Sequence, residues 1–152
     1  MSSLARQYAT KRQPIINALA EVLKAIDGTG EFLTDLNSNI EPRLLFWDEV
    51  VEFPAIHLNA GSEVRVYQGG GYKDRYLNVT LRCYVHNEGA AETLADLLED
   101  VETVLEENSS LTYYDRLGAT QCAHQITILS IDTDEGVLEP LGVAEMQIEV
   151  HY

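Results

Sequence analysis

Four histidines, His57, His86, His124 and His151, and two cysteines, Cys83 and Cys122, are the residues best suited to metal or nucleophilic chemistry. Each histidine stands alone, in or beside a predicted strand. No His-x-x-x-His or Cys-x-x-Cys spacing links any of them. Neither a zinc site nor a base–nucleophile pair is therefore expected. Asp132-x-Asp134-Glu135-Gly136 begins like a calcium loop. Such a loop needs glycine sixth and glutamate twelfth. Here Gly136 is fifth, and the twelfth residue from Asp132 is Val143. A tight turn is expected instead, with carboxylates that cap backbone N–H groups or face solvent. Gly69-Gly70-Gly71-Tyr72 lacks phosphate-loop spacing and joins no strand to a helix. It reads as a flexible hairpin tip, and Gly69, Gly70, Gly71 and Tyr72 form a candidate partner-contact loop. No catalytic residue, metal or cofactor is expected.

The charge narrows the partners. Ten Lys plus Arg against 25 Asp plus Glu give a net charge of −15 over 152 residues. Such a chain repels phosphate backbones and anionic lipid. Sequence-specific nucleic-acid binding and membrane docking are thereby disfavoured. No apolar run approaches the roughly 20 residues of a membrane helix. The opening residues MSSLARQYATKR lack the apolar core of a secretory signal. Two cysteines are too few for a disulfide scaffold. The expectation is one soluble, acidic, intracellular domain spanning residues 1–152.

The charge is also polarised. Residues 1–26 carry Arg6, Lys11, Arg12 and Lys24 against the single acid Glu21, whereas 83–115 and 117–152 have no Lys or Arg. A solvated acidic face explains this blandly. A head-to-tail contact between copies explains it more sharply, with Arg6, Lys11 and Arg12 meeting Glu92, Asp96 and Glu99. Tyrosine is common at eight copies, and Tyr67, Tyr72 and Tyr76 flank the glycine loop. Exposed tyrosines suit protein contacts, although partly buried rings with wet hydroxyls fit as well.

These residues must be held by a scaffold. Ile15, Leu19, Val22, Leu23 and Ile26 recur at helical spacing. That helix starts at Thr10, with Gln13 as a capping box, or at Gln13, with Pro14 in the first helical position; the second is preferred. Residues 31–52 are irregular, with Arg43–Trp47 a possible short strand. Phe53–Asn59 is read as a strand, Ala60-Gly61 as a turn, and Glu63–Tyr67 as the next strand. Tyr76–His86 alternates cleanly, with Leu77, Val79, Leu81, Cys83 and Val85 on one face, and predicts a long half-buried antiparallel strand. A second helix follows, capped at or near Asn87 and ending at Asn108-Ser109-Ser110. Its stripe is Leu94, Leu97, Leu98, Val101, Val104 and Leu105. Ile126–Ile131 and Val143–Tyr152 close the chain as strands. The order predicts an α+β fold: a largely antiparallel sheet with two main helices on one face.

The segment Ile131-Asp132-Thr133-Asp134-Glu135-Gly136-Val137-Leu138-Glu139-Pro140-Leu141-Gly142-Val143-Ala144-Glu145, running into a closing Val-x-Tyr strand, resembles the tail terminator (tail completion) proteins of long, non-contractile-tailed bacteriophages. Glu52-Phe53-Pro54 before an early strand adds to the likeness, which is nearest to the T5-like branch. The resemblance extends from about residue 14 onward and omits loop 68–74. It implies a non-enzymatic structural protein of the virion, placed at the head–tail junction after assembly in the host cytoplasm. It implies a homo-hexameric ring on the head-proximal end of the tail tube that ends tube polymerisation and docks the head connector or neck protein. DNA would pass through without specific binding, along Asp132, Asp134 and Glu135 as candidate lumen or axial-face residues. The alternative within this fold group is another head–tail neck or joining adaptor. Two other classes are a small hydrolase using Asp132 or Glu135 with His124, and a host regulatory domain.

Overall fold

Strict apolar–polar alternation in two long strands sets the architecture. The computed structural model describes residues 11–36, 38–44 and 49–152. In chain order the elements are α1 (Arg12–Leu23), β1 (Ile40–Glu41), β2 (Ala55–Tyr67), β3 (Lys73–His86), α2 (Ala90–Glu107), β4 (Thr112–Tyr114), β5 (Thr120–Cys122), β6 (Gln125–Thr133) and β7 (Leu141–His151). Five strands form one sheet in the order β1-β2-β3-β7-β6. Only β1 and β2 run parallel; the other neighbours are antiparallel. β4 and β5 make a separate two-stranded hairpin. The fold is α+β, as the element order predicts.

On β3, Leu77, Val79, Leu81 and Cys83 stand opposite Val150, Ile148, Met146 and Ala144 of β7. All eight are buried, and both helices press onto this face. α1 contributes Ile15, Ile16, Leu19 and Leu23, and α2 contributes Leu94, Leu97, Val101, Val104 and Leu105. Each large aliphatic buried this way stabilises the fold by about 1.5–3 kcal/mol before entropy is counted. Among the described residues no α-helix lies over the opposite face. There Asn78, Thr80 and Arg82 face Glu149, Gln147 and Glu145, and the Thr80 hydroxyl donates to Gln147 Oε1 at 3.0 Å.

The structure corrects several boundaries. α1 starts at Arg12, so Pro14 is its third residue rather than its first. The first helical bond runs from Ile15 N–H to the Lys11 carbonyl at 3.0 Å, so the proline still forfeits nothing. Thr10 and residues Leu45–Trp47 lie outside the described residues. Ala60-Gly61 is no turn: β2 runs through it with a bulge between Ala60 and Glu63. The bulge shifts the alternation, so Glu63 and Arg65 join the helix side while Val64 and Val66 move to the open face. Asn87 does not cap α2; its amide donates to Thr93 Oγ1 at 2.9 Å. The cap position is Gly89, left-handed at φ 72°, whose N–H donates to Glu139 Oε1 at 2.8 Å. A carboxylate from just before β7 thus satisfies an orphan donor at the helix start.

Candidate functional site

Three surfaces hold the residues singled out from the sequence. The first is the turn between β6 and β7. Asp132 lies near the end of β6, exposed and in register with Glu145 on the open face. Asp134 turns inward instead. Its carboxylate accepts N–H bonds from Gly136 (3.5 Å) and Leu138 (3.2 Å). Glu135 is exposed at φ 56°, its N–H donating to Thr133 Oγ1 at 3.2 Å. The turn is therefore the capped, solvent-facing kind. Among the described residues no group of three or more His, Cys, Asp or Glu is placed to hold a metal ion.

The second surface is electrostatic. Glu92, Asp96 and Glu99 are all exposed on α2. Asp100 on the same helix is buried. Its carboxylate accepts the Leu33 N–H at 3.0 Å and the Thr34 N–H at 2.8 Å, pinning the loop after α1. Lys11 and Arg12 are half-buried, and the Arg12 guanidinium donates to the Gly61 carbonyl at the β2 bulge. Arg6 lies outside the described residues. Within one chain, Lys11 and Arg12 form no ion pair with Glu92, Asp96 or Glu99.

The third surface is the tip of the β2–β3 hairpin. Gly70 and Gly71 take φ values of 76° and 84°, which side chains resist. The Gln68 N–H bonds to the Tyr72 carbonyl at 2.7 Å across the turn. Tyr67 and Tyr72 project, 70% and 75% exposed, with the Lys73 ammonium 5.9 Å from the Tyr67 ring centre.

The base of the tip is braced by a polar cluster that sequence spacing does not reveal. Tyr152 donates its hydroxyl to Glu63, and the Arg75 guanidinium lies 5.5 Å from the Tyr152 ring centre. His151 Nε2 sits 3.0 Å from Asp74 Oδ1, and its ring stacks on Tyr76 at 4.5 Å. Burial pushes Glu63 upward, but the bonds from Tyr152 and Arg65 prevail and hold it below the ordinary carboxylate range. The His151 and Gln68 bonds likewise hold Asp74 low. Burial, then the Glu63 contact, pushes the Tyr152 phenol up.

His124 packs against His151, with ring centres 4.7 Å apart. His124 immediately precedes the nine-residue β6 and Asp132 lies near its far end, more than about 20 Å away at roughly 3.3 Å per residue. The hydrolase arrangement is therefore not formed. His57 is buried on the open face, tilted against Tyr84 at 5.1 Å. Its Nδ1 has no hydrogen-bond partner.

A sheet with one polar face left open and a projecting hairpin tip offers surface for contacts. The family model for the bacteriophage tail tube terminator protein matches residues 9–152, and the chain belongs to this family. The tail tube terminator protein p142 of Escherichia phage T5 is 30% identical over 149 residues, covering 93% of this chain and 92% of that one. The resemblance carried by residues 131–145 and by Glu52-Phe53-Pro54 is thus matched along nearly the whole chain. A chain of the native gene transfer agent virion shares the fold, with a TM-score of 0.53 at 8% identity over 91% of this chain and 94% of its own.

Proposed function

We propose that the protein forms a hexameric ring on the head-proximal end of the tail tube, ends tube polymerisation and presents the surface that docks the head connector. The observation that carries this reading is the match to tail tube terminators over residues 9–152. The role is structural, with no catalytic step, and the ring belongs to the virion at the head–tail junction after assembly in the host cytoplasm. The whole chain acts as one domain. The open, polar face of the sheet, with Asp132 beside Glu145 and with Glu149 further along β7 opposite Thr127, lines the channel. Its carboxylates repel passing DNA. Asp134 and Glu135 sit at the rim of that face. Lys11, Arg12 and Arg6 of one copy lie toward the acidic α2 residues Glu92, Asp96 and Glu99 of the next. The Gly69–Tyr72 tip reaches the tube or connector, where its exposed tyrosines bury area at small entropic cost.

Native mass measurement, dilute and concentrated, tests the ring. A species near six times 17.0 kDa with a central channel under the electron microscope supports it. If the protein stays monomeric, it is added to growing tail tubes; capped tubes of arrested length support the reading. A protein that binds connectors yet leaves tubes growing is a neck adaptor. One that forms no ring and caps no tube refutes the proposal.

A further inference from the structure

An apolar groove of about 440 Å³ runs between α1 and β4. Pro14, Ala18 and Val22 line one wall, spaced along a single helix face, and Tyr113 and Tyr114 line the other. Tyr114 is 68% exposed. The acids around the groove are engaged within the chain. Glu21 pairs with Lys24 at 2.8 Å. Asp115 accepts N–H bonds from Leu117 (2.9 Å), Ala119 (3.0 Å) and the Gln121 amide (3.1 Å). The Gln121 bond leads in holding the Asp115 carboxyl below its ordinary range, and the Lys11 charge adds to it. Lys11 therefore stands within electrostatic reach of the groove, and Arg116 lines it. Among the described residues neither cation forms an ion pair. The groove thus offers apolar walls with two uncommitted positive charges beside them.

The β6–β7 turn carries the complement. Its backbone is fixed by bonds from Val137 N–H to the Asp134 carbonyl (3.0 Å), Glu139 N–H to the Gly136 carbonyl (3.3 Å) and Leu141 N–H to the Leu138 carbonyl (2.9 Å). So held, the turn presents Val137 and Leu138 outward, 81% and 50% exposed. Exposed acids, Glu135 and Glu139, flank the pair, and residues 117–152 contain no Lys or Arg. Apolar side chains displayed together on a braced turn mark a contact surface. The other exposed apolar pair, Tyr67 and Tyr72 at the β2–β3 tip, brings Lys73 with it, a poor match for a basic rim. One chain cannot seat its own turn. Arg12 at the start of α1 reaches Gly61, which lies against Asn78 of β3. The turn adjoins the other end of that strand, where His86 faces Leu141. Asn78 and His86 are about 26 Å apart at roughly 3.3 Å per residue.

We infer that the groove's occupant is a second copy: Val137 and Leu138 of one subunit enter the α1–β4 groove of the next, with Glu135 and Glu139 beside its Lys11 and Arg116. The contact is heterologous, since two different patches meet, and repeated rotation closes it into a ring. This rests on the ring reading above. It supplies an apolar centre for the contact that the reading surrounds with charge, because Thr133–Gly136 share a cleft with Ala91 and Ala95 of α2, the sequence neighbours of Glu92 and Asp96. Apolar anchors within a charged rim are the usual anatomy of such an interface.

Photo-cross-linking tests it. Benzoylphenylalanine replaces Tyr114, and light- and heavy-isotope copies are mixed before ring formation, in solution or on tube ends. The expected product joins position 114 of one copy to a peptide within 135–139 of another. A second variant, Val137→Ser with Leu138→Ser, changes only exposed side chains. It should melt and show circular dichroism like the parent, yet need at least about tenfold more protein for half-assembly. A ring that cross-links elsewhere overturns the contact and leaves the ring standing, whether the product lies in residues 1–10, in the glycine tip or nowhere. So does a ring that assembles as readily with both serines. Absence of any ring, free or on tubes, removes the ring reading and this contact with it.

Discussion

Two side chains show how burial sets chemistry at the residue scale. Cys83 lies in the apolar core, and desolvation alone pushes its thiol up to about 12. Cys122 is exposed on β5. A thiol reagent at pH 8 should modify one cysteine per native chain, at Cys122, and both after unfolding. Fast labelling of two would mean that the β3–β7 core opens readily. His57 gives a pH dependence. Burial lowers its proton affinity below the ordinary 6.5; Glu41 opposes this, while Arg43 and Arg82 add to it. The folded state thus prefers the neutral ring. The stability this brings is whole above about pH 6.5 and is lost as pH falls from there through the lowered folded value. His57→Phe keeps the contact with Tyr84 and removes the unpartnered Nδ1. It should stabilise the fold by about 1 kcal/mol at pH 7. It should also flatten the decline in urea midpoint between pH 7 and 5. An unchanged pH profile would show that another group governs that range.

At the scale of elements, local pattern and long-range contact separate cleanly. β3, β7 and α2 are legible because their side chains repeat at periods of two and 3.6 along the chain itself. The bulge in β2 is not, because Ala60-Gly61 has turn chemistry and only pairing with Asn59–Glu63's partners on β3 keeps the strand going. Asp100 is likewise illegible: it sits among the acids of α2, yet binds N–H groups 66 and 67 residues away. The braced tip behaves the same way, joining Glu63 to Tyr152 and Asp74 to His151. The exposed acids and the glycine tip are readable; the contacts that fix them are not. Asp100→Ala leaves the buried Thr34 N–H and the part-buried Leu33 N–H without a charged acceptor and should cost about 2–3 kcal/mol, a fall of roughly 5–10 °C in Tm. An equal Tm would mean that the loop after α1 finds other acceptors. Gly142 is needed for space. A Cβ there would come within 2.7 Å of Val85 Cγ2 and 3.3 Å of the Ala90 carbonyl, where α2 begins over β7. Val85 is buried and stiff at χ1, so Gly142→Ala should cost about 1–3 kcal/mol in a denaturant titration.

For the whole molecule, the net charge of −15 matters most through where it sits. Helices cover one face of the sheet, and the other carries Asp132, Glu145 and Glu149 with Arg82 as the cation opposite Glu145. A ring with that face inward excludes phosphate by repulsion, and the strength of repulsion depends on the sign of a few residues near the axis. Asp132 is exposed and Glu149 half-buried on this face, and neither makes a bond that the fold needs. Asp132→Lys with Glu149→Lys should therefore leave the monomer melt within about 0.5 kcal/mol of the parent. In the ring it reverses the sign of the proposed channel wall at two positions per copy. Parent rings should not retard duplex DNA in a gel at low salt. The double variant should retain DNA, and its affinity should fall steeply as salt rises, because each phosphate neutralised releases condensed counterions. Virions built with it should package normally and eject slowly. If variant rings ignore DNA at low salt, the open face does not line the channel, and the acidic wall must be sought on the outer face of α2.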